Sequence, residues 1–170
     1  MNVPELLTLL EYNHWANERI FQRAARLSTE QLTVSSWLSH GALLQTLVHN
    51  VDTVWSWRAC CQQGVLPAEY ITEKSFPDIA SLRKFSQAES EQWLAYIRSL
   101  TDEQVNGEIE YSWPRARPRR QRLWHVVAHV VNHGTQHRSE AGAYLATCGH
   151  SPGNLDLIIF TSKHKRETSS

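Results

Sequence analysis

The chain has little of what would tie it to a membrane, a nucleic acid or a disulfide scaffold. It carries three cysteines, Cys60, Cys61 and Cys148, an odd number with two adjacent, which does not make a disulfide framework. Cys60 and Cys61 read as packed helix residues, since no sequence neighbour supports a redox or nucleophilic role. No run of 18 apolar residues exists to span a bilayer, and Met1-Asn-Val-Pro-Glu5 lacks the basic start and apolar core of a secretory leader. A reducing, cytoplasmic setting is the expectation. Net charge is also missing: 17 Lys+Arg balance 17 Asp+Glu, which removes the electrostatic case for nucleic acid or an anionic membrane as partner. The one basic run, Arg115-Ala-Arg-Pro-Arg-Arg-Gln-Arg122, reads as a solvated loop that could still meet an anionic substrate. Repeats and low-complexity segments are absent.

What the 170 residues do hold is helical periodicity, enough for one domain with its own core. Apolar residues recur at three- and four-residue spacings from about Pro4 to Leu27, with Pro4 suited to a first turn. Ser28-Thr-Glu-Gln31 offers a capping pattern that begins a polar connection. A second helix starts near Ser39 or Gly41 and stops at Gly64. Pro77-Asp78 opens a third, carrying Leu82, Phe85, Trp93 and Ile97. Between Val105 and Leu123 the period changes and Pro114 and Pro118 forbid a helix, so a short irregular hairpin is expected. A fourth helix runs from about Leu123 to Thr147. Leu155–Phe160 should pack back as a short segment, and 163–170 should fray. The expectation is an all-α four-helix bundle, a single domain over 1–162 with a disordered tail beyond it.

The chemistry lies in a ladder, His125, His129, His133 and His137, spaced by four. Residues i and i+4 stack on one helix face with Cβ atoms about 5–6 Å apart, close enough for two imidazoles to share an ion. Each step also advances about 40° around the cylinder, so only an adjacent pair can face one ion, and three pairs compete. His133/His137 has the better neighbours: Gly134 permits close approach, and Asn132, Gln136 and Arg138 can supply supporting hydrogen bonds. His125/His129, among Trp124 and valines, suits packing. A divalent ion needs a third donor, and His49, beside the apolar stripe of the second helix, is the best candidate. The residues alone leave metal binding and packing evenly balanced.

Asn13-His-Trp-Ala-Asn-Glu-Arg19, Leu47-Val-His-Asn-Val-Asp52, the segment Leu123 to Glu140 and the late Gly149-His-Ser-Pro-Gly-Asn-Leu-Asp-Leu157 together resemble the DinB/YfiT-like family over nearly the whole chain. The resemblance implies a bundle with a helix order unlike simple up-down bundles, often a homodimer, holding one divalent ion on three histidines. At matching positions these are His49, His133 and His137, with His129 a supporting or core residue. It also implies a small-molecule substrate, because characterised relatives include thiol transferases and a thiol-dependent isomerase.

Three imidazoles and an open position suit a catalytic ion, zinc or nickel first, since structural zinc takes four protein ligands. The favoured expectation is a metal-dependent enzyme that activates a low-molecular-weight thiol, as cosubstrate, toward a small electrophile. Metal-assisted hydrolysis is the alternative, weakened because Gly134, Thr135 and Gln136 put no glutamate between the paired histidines. A non-enzymatic metal-binding stress-response module is the third. A di-iron carboxylate bundle fails for want of Glu-x-x-His pairs. Among other residues, Asp52 could orient a ligand or cap in solvent. Arg138 could grip a carboxylate or pair with Glu140 at the surface. Trp55 and Trp57 read as core before pocket wall, and Asn13, Trp15 and Asn17 as residues that lock the first helix.

Overall fold

The computed structural model describes residues 1–167. Four long helices form the body: α1 (Val3–Ala24), α3 (Leu43–Gln63), α4 (Ile79–Arg98) and α6 (Leu123–Thr147). Shorter pieces join them: α2 (Thr29–Thr33), α5 (Asp102–Asn106), a hairpin of β1 (Glu108–Tyr111) and β2 (Arg119–Arg122), and α7 (Leu157–Glu167). Helix α1 packs against α4 and α6, and α3 packs against α6 and α4. The first two long helices therefore stand across a diagonal, whereas a simple up-down bundle makes them neighbours. Among the described residues, no helix is long and apolar enough to cross a membrane.

The helix starts follow local capping chemistry. Asn2, Ser28, Asp78 and Thr101 each close a capping box, satisfying amide protons that a helix start leaves unpaired. Two connections differ from the sequence expectation. Residues Thr29–Thr33 are helical, because the Ser28/Gln31 box caps a real turn rather than only opening a loop. Helix α3 begins at Leu43, after Gly41 turns the chain at φ +84°. Gly64 ends α3 in the left-handed region at φ +76°, where a side chain would be strained.

The core divides between two ends of the bundle. At one end Ile20, Phe21, Leu43, Leu47, Val51 and Leu145 cluster. At the other, Leu6, Val54, Trp93, Val127 and Val130 cluster, with the Trp93 indole N–H donating to the Val54 carbonyl at 2.8 Å. Arg58 of α3 and Glu89 of α4, both buried, pair through two hydrogen bonds of 2.6 and 3.0 Å. Trp15 packs against Phe160 of α7 with ring centroids 5.6 Å apart. Helix α7 continues to Glu167 through part of the stretch expected to fray; residues 168–170 lie outside the described residues.

The hairpin has regular antiparallel register, from Glu108 opposite Arg122 to Tyr111 opposite Arg119. It is pinned to the end of α3 where the Ser112 amide donates to the Gly64 carbonyl at 3.2 Å and the Leu66 amide to the Ser112 carbonyl at 3.0 Å. That attachment brings Tyr111 and Trp113 over the side of α3 that carries His49.

Candidate metal centre

Packing α3 on α6 brings His49 between His133 and His137. Its ring centroid lies 4.9 Å from that of His133 and 4.8 Å from that of His137. The one-turn spacing along α6 leaves the His133 and His137 rings 4.5 Å apart. His49 Nε2 and His133 Nε2 are separated by 3.1 Å. Two imidazole nitrogens bound to one ion at about 2.0–2.1 Å stand roughly 2.9–3.4 Å apart, so this separation fits a shared ion.

A fourth histidine joins them. His40 stacks on His49 with centroids 3.9 Å apart, and ring nitrogens of His40, His49 and His137 all fall within 4.8 Å of one another. Its loop is tied to α6 by Ser39, whose amide and hydroxyl both donate to Glu140 Oε2, at 3.3 and 2.6 Å. The same carboxylate oxygen lies 3.7 Å from His137 Nδ1. Glu140 thus holds the loop bearing His40 and places a carboxylate beside the His137 ring without hydrogen-bonding it.

The cluster is built to be neutral and unsatisfied. Burial, with like charge from His40 and His137, lowers the His49 pKa to about 4. Burial, with His137 and His49 beside it, lowers that of His133 to about 3, and burial lowers His137 as well. Near pH 7 these rings are uncharged and each keeps a lone pair free. His133 Nδ1 and His137 Nδ1 are buried without a hydrogen-bond partner. A hydrogen bond between His49 and His133 leaves His133 Nδ1 unsatisfied in either tautomer, at a cost of about 1–3 kcal/mol. The donor set therefore fits a divalent ion of the zinc or nickel type.

Beside His49 and His133 opens a cavity of about 540 Å³. Trp57, Tyr111 and Trp113 wall it, and Asp52, His125 and His129 also face it. Trp57, expected first as core, is a wall; its ring meets His129 edge-on at 5.4 Å. His129 lies exposed to this space, next to His133 but outside the cluster. His125 Nδ1 sits 2.6 Å from Gln121 Oε1, which occupies it at the rim. Asp52 is buried rather than solvated, and its Oδ1 accepts the Ile71 amide at 2.8 Å.

Arg138 corrects the sequence reading. It neither reaches the cavity nor pairs with Glu140; its guanidinium is buried and donates to Asn13, Asn17 and Thr135. A Cβ on Gly134 would sit 2.5 Å from Arg138 Nη1 and 2.7 Å from Asn13 Oδ1, so this glycine makes room for the arginine, not for a metal ligand. Asn132 and Gln136 are exposed. Cys60 and Cys61 are packed as expected, and burial pushes the Cys60 thiol up to about 11 and Cys61 higher still, which keeps both from acting as nucleophiles. His40 escaped sequence reading because it lies in a loop, outside any helical period. Its signal was its place beside Gly41, one turn before the helix bearing His49.

A bundle with its first two long helices on the diagonal and a half-buried histidine cluster beside a cavity defines a distinct class of helical protein. The DinB family model matches residues 1–168, and the chain belongs to the DinB family. It is 25% identical over 173 aligned positions to Protein DinB of Bacillus subtilis (strain 168), covering 93% of this chain and 95% of that one. The fold also resembles the solved structure of YfiT from Bacillus subtilis, described as a probable metal-dependent hydrolase with an unusual four-helix bundle topology. That likeness has a TM-score of 0.62 and 15% identity, and covers 84% of this chain and 87% of YfiT.

Proposed function

We propose that the chain is a metal-dependent enzyme in which His49, His133 and His137 hold one divalent ion, and that it transfers a low-molecular-weight thiol to a small electrophile. The observation that carries this reading is the 3.1 Å approach of His49 Nε2 to His133 Nε2, with the His137 ring beside both, at the edge of a cavity large enough for a small molecule. A divalent ion held there supplies Lewis acidity, bringing the pKa of a thiol or of water toward neutrality. The chain's own residues do the rest. Glu140 holds the His40 loop and sets a negative charge beside His137; His40 is a fourth donor within reach. The aromatic walls hold the electrophile and exclude water. Among the described residues no cysteine or lysine faces the cavity, which suits a reaction whose nucleophile arrives as a cosubstrate. In the transfer the thiol loses its proton to solvent, sulfur forms the bond to the electrophilic carbon, and the bond broken at that carbon gives its electron pair to the departing group, which takes up a proton from solvent.

Hydrolysis is the second reading, favoured by Asp52, a carboxylate beside His49 that the sequence did not place in the cavity. The fold likeness to YfiT supports it too. It ranks second because Asp52 already accepts the Ile71 amide, leaving less of the carboxylate free to act as a base. Turnover of a model electrophile with a panel of small thiols, before and after chelation, tests the order. Thiol-dependent, chelator-sensitive turnover is expected. Turnover of esters or amides without thiol would reverse the ranking, and an ion without either activity would leave a binding role.

A further inference from the structure

Of the four clustered histidines, His40 alone comes on a loop; the other three stand on α3 and α6. The loop is folded to present it. Gly41, at φ +84°, donates its amide to the Leu38 carbonyl at 2.8 Å, and its carbonyl accepts the Ser36 amide at 2.6 Å. Leu38 is buried in the core, and Ser39 donates twice to Glu140 of α6. Held between these anchors, the His40 ring is half-buried, with its centroid 5.1 Å from that of His137 and 3.9 Å from that of His49. Two imidazoles on one tetrahedral ion have centroids about 5 Å apart. The His137 spacing already matches, and a turn of the His40 side chain about its rotatable bonds opens the His49 spacing to it.

From this placement we infer that His40 is a fourth protein ligand of the ion, and the one built to leave. The inference rests on the proposed metal centre, and the choice of displacing ligand rests on the proposed thiol chemistry. His49, His133 and His137 move only with two packed helices, whereas His40 is released by breaking the two Ser39–Glu140 hydrogen bonds, both at the surface. There is also room where it leaves. His40 lines a second cavity, of about 410 Å³, with Gln45, Asp52, Tyr70 and Glu73. That cavity and the aromatic one share His49, Asp52 and Tyr70. A small thiol can therefore take the place of His40 from its own side, leaving the aromatic cavity to the electrophile. With His40 in place, four nitrogen donors close the site against water, as in structural zinc sites, so idle hydrolysis is suppressed until a cosubstrate arrives.

The test titrates cobalt(II) into the chelator-treated full chain and follows its visible absorption in the unaltered protein, His40→Gln, Ser39→Ala and His133→Gln, each shown to be folded by circular dichroism. His40→Gln is expected to hold cobalt at least about tenfold more weakly, with a weaker and shifted band, because water in place of an imidazole changes the ligand field. Ser39→Ala keeps the ring and loses only a hydroxyl of the latch, so it should reach the unaltered spectrum at saturation. Added 2-mercaptoethanol should change the cobalt spectrum at an at least about tenfold lower concentration in His40→Gln than in the unaltered protein, with Ser39→Ala between them. A spectrum, affinity and thiol response in His40→Gln that match the unaltered protein would overturn the inference and leave His40 packing on His49. Failure of the metal reading looks different. If His133→Gln keeps the unaltered spectrum and affinity while His40→Gln loses them, the ion sits on His40, His49 and His137; the inference then stands and the proposed triad falls. If His133→Gln loses the ion and His40→Gln changes nothing, the reverse holds. No cobalt bound by the unaltered protein would overturn both.

Discussion

His137 and Arg138 are neighbours on α6, and both are buried, at 4% and 2% exposed, yet they face opposite kinds of surroundings. Arg138 sits in a closed polar knot. Its Nη1 donates to Asn13 and Asn17, its Nη2 to Thr135 at 3.0 Å, and Asn50 of α3 donates to Asn17 across the bundle diagonal at 3.1 Å. Of this knot only Asn17 Nδ2 and Asn50 Oδ1 lack partners. His137 sits in the other group, where ring nitrogens face one another, two stay unpartnered, and a cavity opens alongside. Each group leaves two buried atoms unpartnered, so the difference lies at the centre. In the knot a guanidinium donates to side chains of two helices, whereas in the cluster neutral ring nitrogens face one another with no cationic side chain between them, an arrangement suited to something that comes from outside.

The comparison breaks most sharply at Arg138. Arg138→Ala strands the side-chain oxygen of Asn13, empties a buried site and should cost about 3 kcal/mol, seen as a fall in Tm of about 6–12 °C, while metal-site mutants leave the metal-free Tm nearly unchanged. Gly134→Ala attacks the same knot sterically and should cost about 1–3 kcal/mol in the same thermal scan. On the other side, His49→Ala and His137→Ala should each lower bound divalent metal more than about tenfold, measured by elemental analysis after dialysis, whereas His150→Ala should not.

Acid sharpens the contrast further. In metal-free protein burial holds His49 and His133 at about 4 and about 3, below the ordinary imidazole value of 6.5. The unfolded chain therefore binds these protons first, so stability rises with pH across that window and declines as pH drops below 6.5. Denaturant midpoints between pH 7 and 4 should show the decline, reduced in His133→Ala. The smallest effect belongs to the exposed Arg120–Glu110 pair at 3.3 Å: Arg120→Ala should shift Tm within error, as surface ion pairs contribute about 0–1 kcal/mol.

The bundle was legible because its signals are local. Apolar spacing marked the four long helices, and the prolines at 114 and 118 marked the break that became the hairpin. The pairing of α1 with α4 and α6 came only from resemblance, since periodicity shows which face is buried and not against what. The histidine pair on α6 could be read from spacing, and His49 from its place beside an apolar stripe. His40, Glu140 and the seat of Asp52 could not, because each depends on where a loop lands on another helix. Arg138 misled for a related reason. A helix-surface arginine usually pairs with an acid such as Glu140, but Gly134 one turn earlier opened a space that draws the guanidinium inward.

The central claim is that the histidine cluster holds an ion and the arginine knot does not. Titrating cobalt(II) into chelator-treated protein while recording its visible absorption tests this most directly, because imidazole coordination gives the ion a distinct ligand-field spectrum. One ion per chain in the unaltered protein, with the spectrum lost in His49→Ala and His137→Ala, is the predicted result. A spectrum unchanged by both substitutions, or no binding at all by the folded protein, would contradict it and return the four rings to packing.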